Sequence, residues 1–229
     1  MIATALQMTQ PFRGIEPVAV AEIARHASER RLAPGEALFE QGEPADRFFL
    51  AVEGRLKVTM ITPGGKQVLV RLLCPGDFCG LALALARSDY PATCRAIVTV
   101  RVVGWPMSYW AELIETNPRI ALGVTRSLGR HITDVHARIA ELATEEVAQR
   151  IANAVLRLAH TAGAPAEGGV RIDFPITRQD LAEMTGTTLH SVSRIVSGWI
   201  GRGVVGRGRA RLVVRDLPAL ERIARGERD

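Results

Sequence analysis

The sequence has no run approaching the roughly 20 apolar residues that span a bilayer, so a membrane-spanning helix is not expected. Its opening, Met1-Ile-Ala-Thr-Ala-Leu-Gln-Met-Thr-Gln, lacks a basic region followed by a long apolar stretch and does not read as a secretory signal. Cysteine is scarce: three residues, an odd number, argue against a disulfide framework. Cys74, Cys79 and Cys94 also lack the paired spacing of a zinc site. Catalytic signatures are missing as well. There is no Gly-x-Ser-x-Gly, no phosphate-binding glycine loop and no His-Glu-x-x-His, and neither Asp77 nor Glu53 has a paired acid or histidine at usable spacing. These absences point away from an enzyme and towards a soluble, cytoplasmic protein with no membrane partner.

What is present is a well-stocked core and an uneven excess of positive charge. Of 229 residues, 47% are hydrophobic, enough for one large or two ordinary domains. The net charge is +5, which favours a polyanionic partner. Residues 1–145 carry 16 basic and 15 acidic side chains, whereas residues 146–229 carry 13 and 9. The net charges are therefore +1 and +4, and all thirteen bases of the second part are arginine. Arginine is the side chain suited to bidentate contacts with phosphates and bases.

Residues 1–117 read as a β-barrel or roll preceded by a helix over 15–31. Short apolar runs such as Phe48-Phe-Leu-Ala-Val and Val68-Leu-Val-Arg-Leu-Leu are separated by Gly and Pro turns about every ten residues. Residues 118–144 read as one long helix with Pro118 at its first position. Val124, Leu128, Ile132, Val135, Ile139 and Leu142 recur on it at steps of four and three, the spacing of a dimerisation seam. An amphipathic helix packed on its own barrel would give the same pattern. Residues 145–229 read as a helix, a loop over 161–169, a short strand and a winged helix-turn-helix. The fold class is thus α+β.

The stretch from Ile176 to Arg215 organises the rest. Thr177 and Asp180 form a Thr-x-x-Asp capping box at the start of a short helix. Leu181, Ala182 and Thr185 point inward at helical spacing, and Gly186 supplies a tight turn. Thr187 or Thr188 caps a second helix, whose inward residues are Val192, Ile195, Val196 and Trp199. Its outward residues near the N-terminus are Leu189, His190, Ser193 and Arg194, with Ser191 and Ser197 beside them. Short polar groups and one arginine there suit a major groove, and Arg194 matches the two acceptors of guanine. Leu189, His190, Ser193 and Arg194 are the expected base contacts. Thr177, Arg178, Thr187, Ser191 and Ser197, with Arg207, Arg209 and Arg211 of a Gly-rich wing, are the expected phosphate contacts.

Barrel, long helix and winged helix-turn-helix in this order resemble the CRP/FNR superfamily of bacterial transcription regulators. The specific points are Gly35 with Phe39 and Gly42, Val52-x-Gly54-x-Leu56-x-Val58, Pro75-Gly-Asp-Phe-x-Gly80 and Thr177-Arg-Gln-Asp-Leu-Ala182. The resemblance implies a cupin-like cyclic-nucleotide-binding fold as sensor, a homodimer joined through the long helix, and a two-fold operator read by the second helix. It also implies RNA polymerase as a partner and a role as activator. Cyclic-AMP-binding members carry Gly-Glu-Leu and an Arg-Ser pair; here the first reads Gly80-Leu81-Ala82, and the second falls near Tyr90-Pro91-Ala92-Thr93 with no arginine. Cyclic AMP is therefore not the expected effector. No cysteine precedes Cys74, so the N-terminal thiolates of iron–sulfur members are missing too.

The segment Thr187-Thr-Leu-His-Ser-Val-Ser-Arg194 looks like the nitric-oxide-responsive, NnrR-type branch found in denitrifying bacteria, which implies a TTG-like half-site and a nitric oxide or redox signal. Haem is the cofactor that branch suggests, with His131, His136, Cys79 and Cys94 as candidate axial ligands. Against it, the two histidines stand five apart and share no helix face, and a buried cysteine usually acts as a small hydrophobe. A thiol role or another small ligand is the alternative.

Overall fold

The structure, a computed structural model, describes residues 1–82, 87–208 and 211–227. The chain forms two compact units, Met1–Thr133 and Asp134–Asp229, divided within the long helix.

The first unit opens with two helices, α1 (Ile2–Gln7) and α2 (Pro17–Arg25). The sequence pattern does not announce the first; it is held by burial of Ala5 and Leu6. The helix expected over 15–31 is shorter, because Ser28–Leu32 leave it to form β1. That strand pairs antiparallel with β8 (Val100–Pro106), from Ser28 opposite Gly104 to Leu32 opposite Val100. Only Leu32 of β1 is fully buried, so pairing with a distant strand, not local pattern, decides the conformation.

Between them lie β2 (Ala37–Phe39), β3 (Arg47–Glu53), β4 (Leu56–Ile61), β5 (Gln67–Leu73), β6 (Phe78–Cys79) and β7 (Thr93–Ala96). They make two four-stranded antiparallel sheets, ordered β1-β8-β3-β6 and β2-β7-β4-β5. β3 is apolar from Phe48 to Val52 because both its faces are covered there. Phe48, Leu50 and Val52 join one core with Phe12, Phe78 and Trp105, while Phe49 and Ala51 join another with Phe39, Leu56 and Cys94. Trp105 stacks on Phe48 at 5.4 Å, and its indole Nε1 donates to the Ile23 carbonyl at 3.0 Å. Gly54 turns β3 into β4 with φ 84°; a Cβ there would stand 2.3 Å from the Thr99 carbonyl oxygen, so only glycine fits.

After α3 (Trp110–Thr116), the long helix α4 (Pro118–Thr144) begins against the first of these cores. Ile120 and Val124 are part of it and Leu128 packs on it. For these positions the alternative reading of the spacing holds, a helix face packed on its own barrel. Val124 is 5% exposed, and pulling it out would cost about 1.5–3 kcal/mol of buried apolar surface. Val124 and Leu128 belong to their own roll. Ile132, Ile139 and Leu142 are 54%, 59% and 54% exposed, with Val135 half-buried beside them.

The second unit contains α5 (Val147–Ala162), β9 (Gly163–Ala166), β10 (Gly169–Ile172), α6 (Arg178–Thr185), α7 (Leu189–Gly201), β11 (Val205–Gly208), β12 (Arg211–Val214) and α8 (Leu217–Ala224). A capping box from Glu146 and Gln149 starts α5. The loop expected over 161–169 is instead the end of α5 and a strand, because Gly163–Ala166 pair with Gly169–Ile172 as a hairpin. The sheet order is β11-β12-β10-β9, which sets the wing strands beside that hairpin. Val155, Phe174, Leu181, Val192, Trp199 and Leu220 are buried in this unit.

Candidate functional site

α6 and α7 form the helix-turn-helix. The Thr177 hydroxyl accepts from the Asp180 amide at 3.0 Å, and Asp180 Oδ2 accepts from the Thr177 amide at 2.9 Å and from its hydroxyl at 2.6 Å. The cap thus occupies Thr177, expected at a phosphate. Gly186 ends α6 in the left-handed region at φ 61°, and the Thr187 amide donates back to the Ala182 carbonyl at 3.1 Å. Thr188, not Thr187, caps α7: its hydroxyl accepts from the Ser191 amide at 3.1 Å and lies 3.0 Å from the Ser191 hydroxyl. Leu181, Ala182, Val192, Val196 and Trp199 close the space between the helices as their spacing demands, and Ile195 is half-buried.

The outward face of α7 carries the expected reading residues together. Leu189, His190, Arg194 and Ser197 are exposed, and Ser193 is half-buried. The Arg194 side chain has no hydrogen bond or ion pair among the described residues, so all its donors are available to a ligand. Arg178 behaves differently. Its Nη2 donates to the Ser197 hydroxyl at 3.2 Å and its Nη1 to the Ser193 carbonyl at 3.4 Å. It braces α7 from α6 and keeps Ser197 in place. Arg207 and Arg211 lie on the paired wing strands, Arg207 opposite Leu212 and Arg211 opposite Gly208. Arg209 lies outside the described residues.

The first unit holds a cavity of about 280 Å³ between the second sheet and α4. Its walls include Phe39, Val58, Met60, Phe78, Tyr90 and Leu128, with Leu81 where a cyclic-nucleotide site would place its glutamate. Sequence reasoning does not single out most of these residues. Their signal is present but weak: apolar side chains at alternate positions on β4 and β5. The polar wall groups are Arg71, Cys79, Tyr90 and His131. The Tyr90 hydroxyl donates to the Arg47 carbonyl at 2.7 Å, and burial pushes its pKa up to about 12, so the phenol is neutral. Arg71 Nη2 donates to Asp77 Oδ1 at 3.1 Å and to the Ser127 hydroxyl at 2.8 Å. Asp77 Oδ2 in turn accepts from the Cys74 amide at 2.9 Å.

The candidate haem ligands do not come together as a set. Cys79 and His131 both line the cavity, whereas Cys94 and His136 are not among its wall residues. Cys94 is fully buried, and its neighbour Cys79, together with burial, raises its thiol well above the ordinary range, which disfavours a thiolate ligand. His136 lies in the second unit. No cluster of three His, Cys, Asp or Glu suited to a metal occurs among the described residues. The residues present do not fit haem.

Comparison with known proteins covers both units. Residues 29–117 match the cyclic nucleotide-binding domain family, and residues 149–223 the Crp-like helix-turn-helix domain family. The transcriptional regulator LdrP of Thermus thermophilus is 30% identical over 85% of this chain and 96% of its own. A CRP-like cAMP-activated global transcriptional regulator of Mycobacterium tuberculosis is 25% identical over 93% of this chain and 96% of its own. Among solved structures, a CRP-family transcriptional regulator of Thermus thermophilus superposes with TM-score 0.73 at 28% identity, covering 85% of this chain and 96% of that one. FixK2 of Bradyrhizobium japonicum shares the fold with TM-score 0.73 at 20% identity, over 86% and 96% of the two chains. No helix among the described residues is long and apolar enough to cross a membrane.

Proposed function

The chain belongs to the CRP/FNR family of DNA-binding transcription regulators, and from that premise we propose that it acts as a homodimer reading a two-fold operator with α7. The observation that carries this reading is the outward face of α7. Arg194 stands exposed with its donors unspent, between His190 and Ser197, on a helix fixed from behind by Val192, Val196 and Trp199. A guanidinium so placed pairs with guanine O6 and N7, with Leu189, His190 and Ser193 setting the neighbouring positions. Thr187, Ser191, Arg207, Arg209 and Arg211 are the proposed phosphate contacts that set register. Thr177 and Arg178 support the reading helix through the cap and the brace described above.

Two copies join through the exposed stripe of α4, with Ile132, Val135, Ile139 and Leu142 as its apolar positions. The likeness of Thr187 to Arg194 to the nitric-oxide-responsive branch supports a TTG-like half-site, because those residues face DNA. It carries no information about the sensor, which is built from other residues in the other unit. As a cytoplasmic activator the dimer acts with RNA polymerase, so transcript from a promoter bearing the site should rise on adding protein; a fall would reverse the sign.

The direct test is fluorescence anisotropy with a palindromic TTG-core duplex against a scrambled duplex of equal length. The expected ratio of affinities is at least about 10³ at physiological salt. Equal affinity for the two duplexes would overturn the groove assignment.

A further inference from the structure

We infer that the cavity of the first unit takes a small, uncharged, largely apolar ligand, and that a cyclic nucleotide or other phosphate-bearing effector is excluded on charge. The inference rests on the reading of this unit as the sensor of a DNA-binding regulator. Three observations carry it.

The walls are aromatic and aliphatic. Phe39 and Tyr90 stack at 3.9 Å, and Phe78, Met60, Leu81 and Leu128 add further apolar wall. Such a surface gains by excluding water and offers flat faces to a ring or a hydrocarbon chain. At about 280 Å³ the space is well above the roughly 150 Å³ that holds one benzene.

The wall guanidinium is already paired. Arg71 is the wall guanidinium among the described residues, and Asp77 neutralises it at 3.1 Å while Ser127 takes the same Nη2 at 2.8 Å. Both charged side chains are about a fifth exposed, so the pair is screened little by solvent. An entering phosphate would meet a neutral ion pair, and a buried charge without its own partner is strongly disfavoured.

The tyrosine is committed as well. Its hydroxyl donates to the Arg47 carbonyl at 2.7 Å. The remaining polar wall groups are His131 and Cys79, and Cys79 hydrogen-bonds Cys94. Leu128 and His131 sit on α4, so an occupant touches the helix that joins the two copies.

The test uses the full chain and two fluorescent probes with the same skeleton. N-phenyl-1-naphthylamine is neutral; 1-anilinonaphthalene-8-sulfonate adds one sulfonate. The neutral probe should bind saturably at one per chain, and the sulfonate at least about tenfold more weakly, since a buried unpaired charge costs more than one decade of affinity. Excess cyclic AMP should displace neither. Ala92→Leu, which fills the cavity without adding charge, and Leu81→Glu, which places an acid on its wall, should each lower neutral-probe binding by about tenfold or more. Circular dichroism on both variants checks the fold, and loss of binding in either folded variant suffices. No saturable binding of the neutral probe, equal binding of the sulfonate, or displacement by cyclic AMP would overturn the inference. Operator binding is measured on the same samples. Probe binding with no specific DNA binding would leave the cavity assignment standing and remove the regulator reading; specific DNA binding with no probe binding would do the reverse.

Discussion

Glu141, near the end of α4, takes both Nη atoms of Arg157, on the helix that follows it, as a bidentate pair. The carboxylate is 11% exposed and the guanidinium 28%. Arg138 lies in the same field: burial lowers its pKa first, and the charge of Arg157 lowers it further. The charge of Glu141 offsets part of the repulsion between the two arginines. Glu141→Leu should destabilise the second unit by about 1–3 kcal/mol, because it leaves the partly buried Arg157 guanidinium without its carboxylate. The double variant Glu141→Leu/Arg157→Leu should recover most of that loss. Urea unfolding of the three proteins checks both statements.

Removing the reading arginine should separate specificity from affinity. Arg194→Ala should weaken the specific site by about 1–3 kcal/mol and leave scrambled DNA within about twofold, since one bidentate base contact carries that much discrimination. Titrations on both duplexes decide it.

The wing should behave in the opposite way. Neutralising Arg207, Arg209 and Arg211 should weaken all sequences alike and flatten the dependence of log K on log salt by about 0.9 for each phosphate left without its cation. A salt series on specific and scrambled duplexes measures the slope.

Position on α4 should determine what a charge does. Ile139→Asp, at a residue 59% exposed, should yield monomers of nearly unchanged stability. Val124→Asp, at a residue 5% exposed in the Trp105 core, should unfold the first unit. Sedimentation velocity with thermal melts distinguishes the two.

Tyr90 sets a limit in alkali. Its folded pKa of about 12 lies above the ordinary value of 10.0, so the unfolded chain ionises first as pH rises. The stabilisation is complete below about pH 10 and is lost between about 10 and 12. Tyr90→Phe should flatten that fall, and should cost about 0.5–1.5 kcal/mol at neutral pH through loss of the bond to the Arg47 carbonyl. Denaturant melts across that pH range measure both effects.

The helix-turn-helix is legible from residues alone because everything that specifies it is local. A cap at Thr177, a turn at Gly186 and an inward row from Leu181 to Trp199 lie within one short segment. The roll is legible as a texture and not as a map. β1 carries no alternation, and its conformation follows from a strand more than sixty residues away. The seam on α4 is half legible: spacing shows that a helix has an apolar face but not whose surface covers it, and Val124 and Leu128 face their own roll. The cavity is legible only as a missing glutamate and arginine. Its walls are gathered from several strands and loops and from α4, and no single window of sequence contains them.

Asp77 holds three parts of the first unit at once: the amide of Cys74 in the turn, Arg71 on β5, and, through Arg71 and at 3.4 Å directly, the Ser127 hydroxyl on α4. It does so from beside the cavity, without being one of its wall residues. Of these groups Arg71 also lines the cavity, so the wall and this junction share one ion pair. A change at Arg71 would alter the wall and loosen the hold on Ser127 together, whereas the aromatic and aliphatic wall residues can vary without touching that junction.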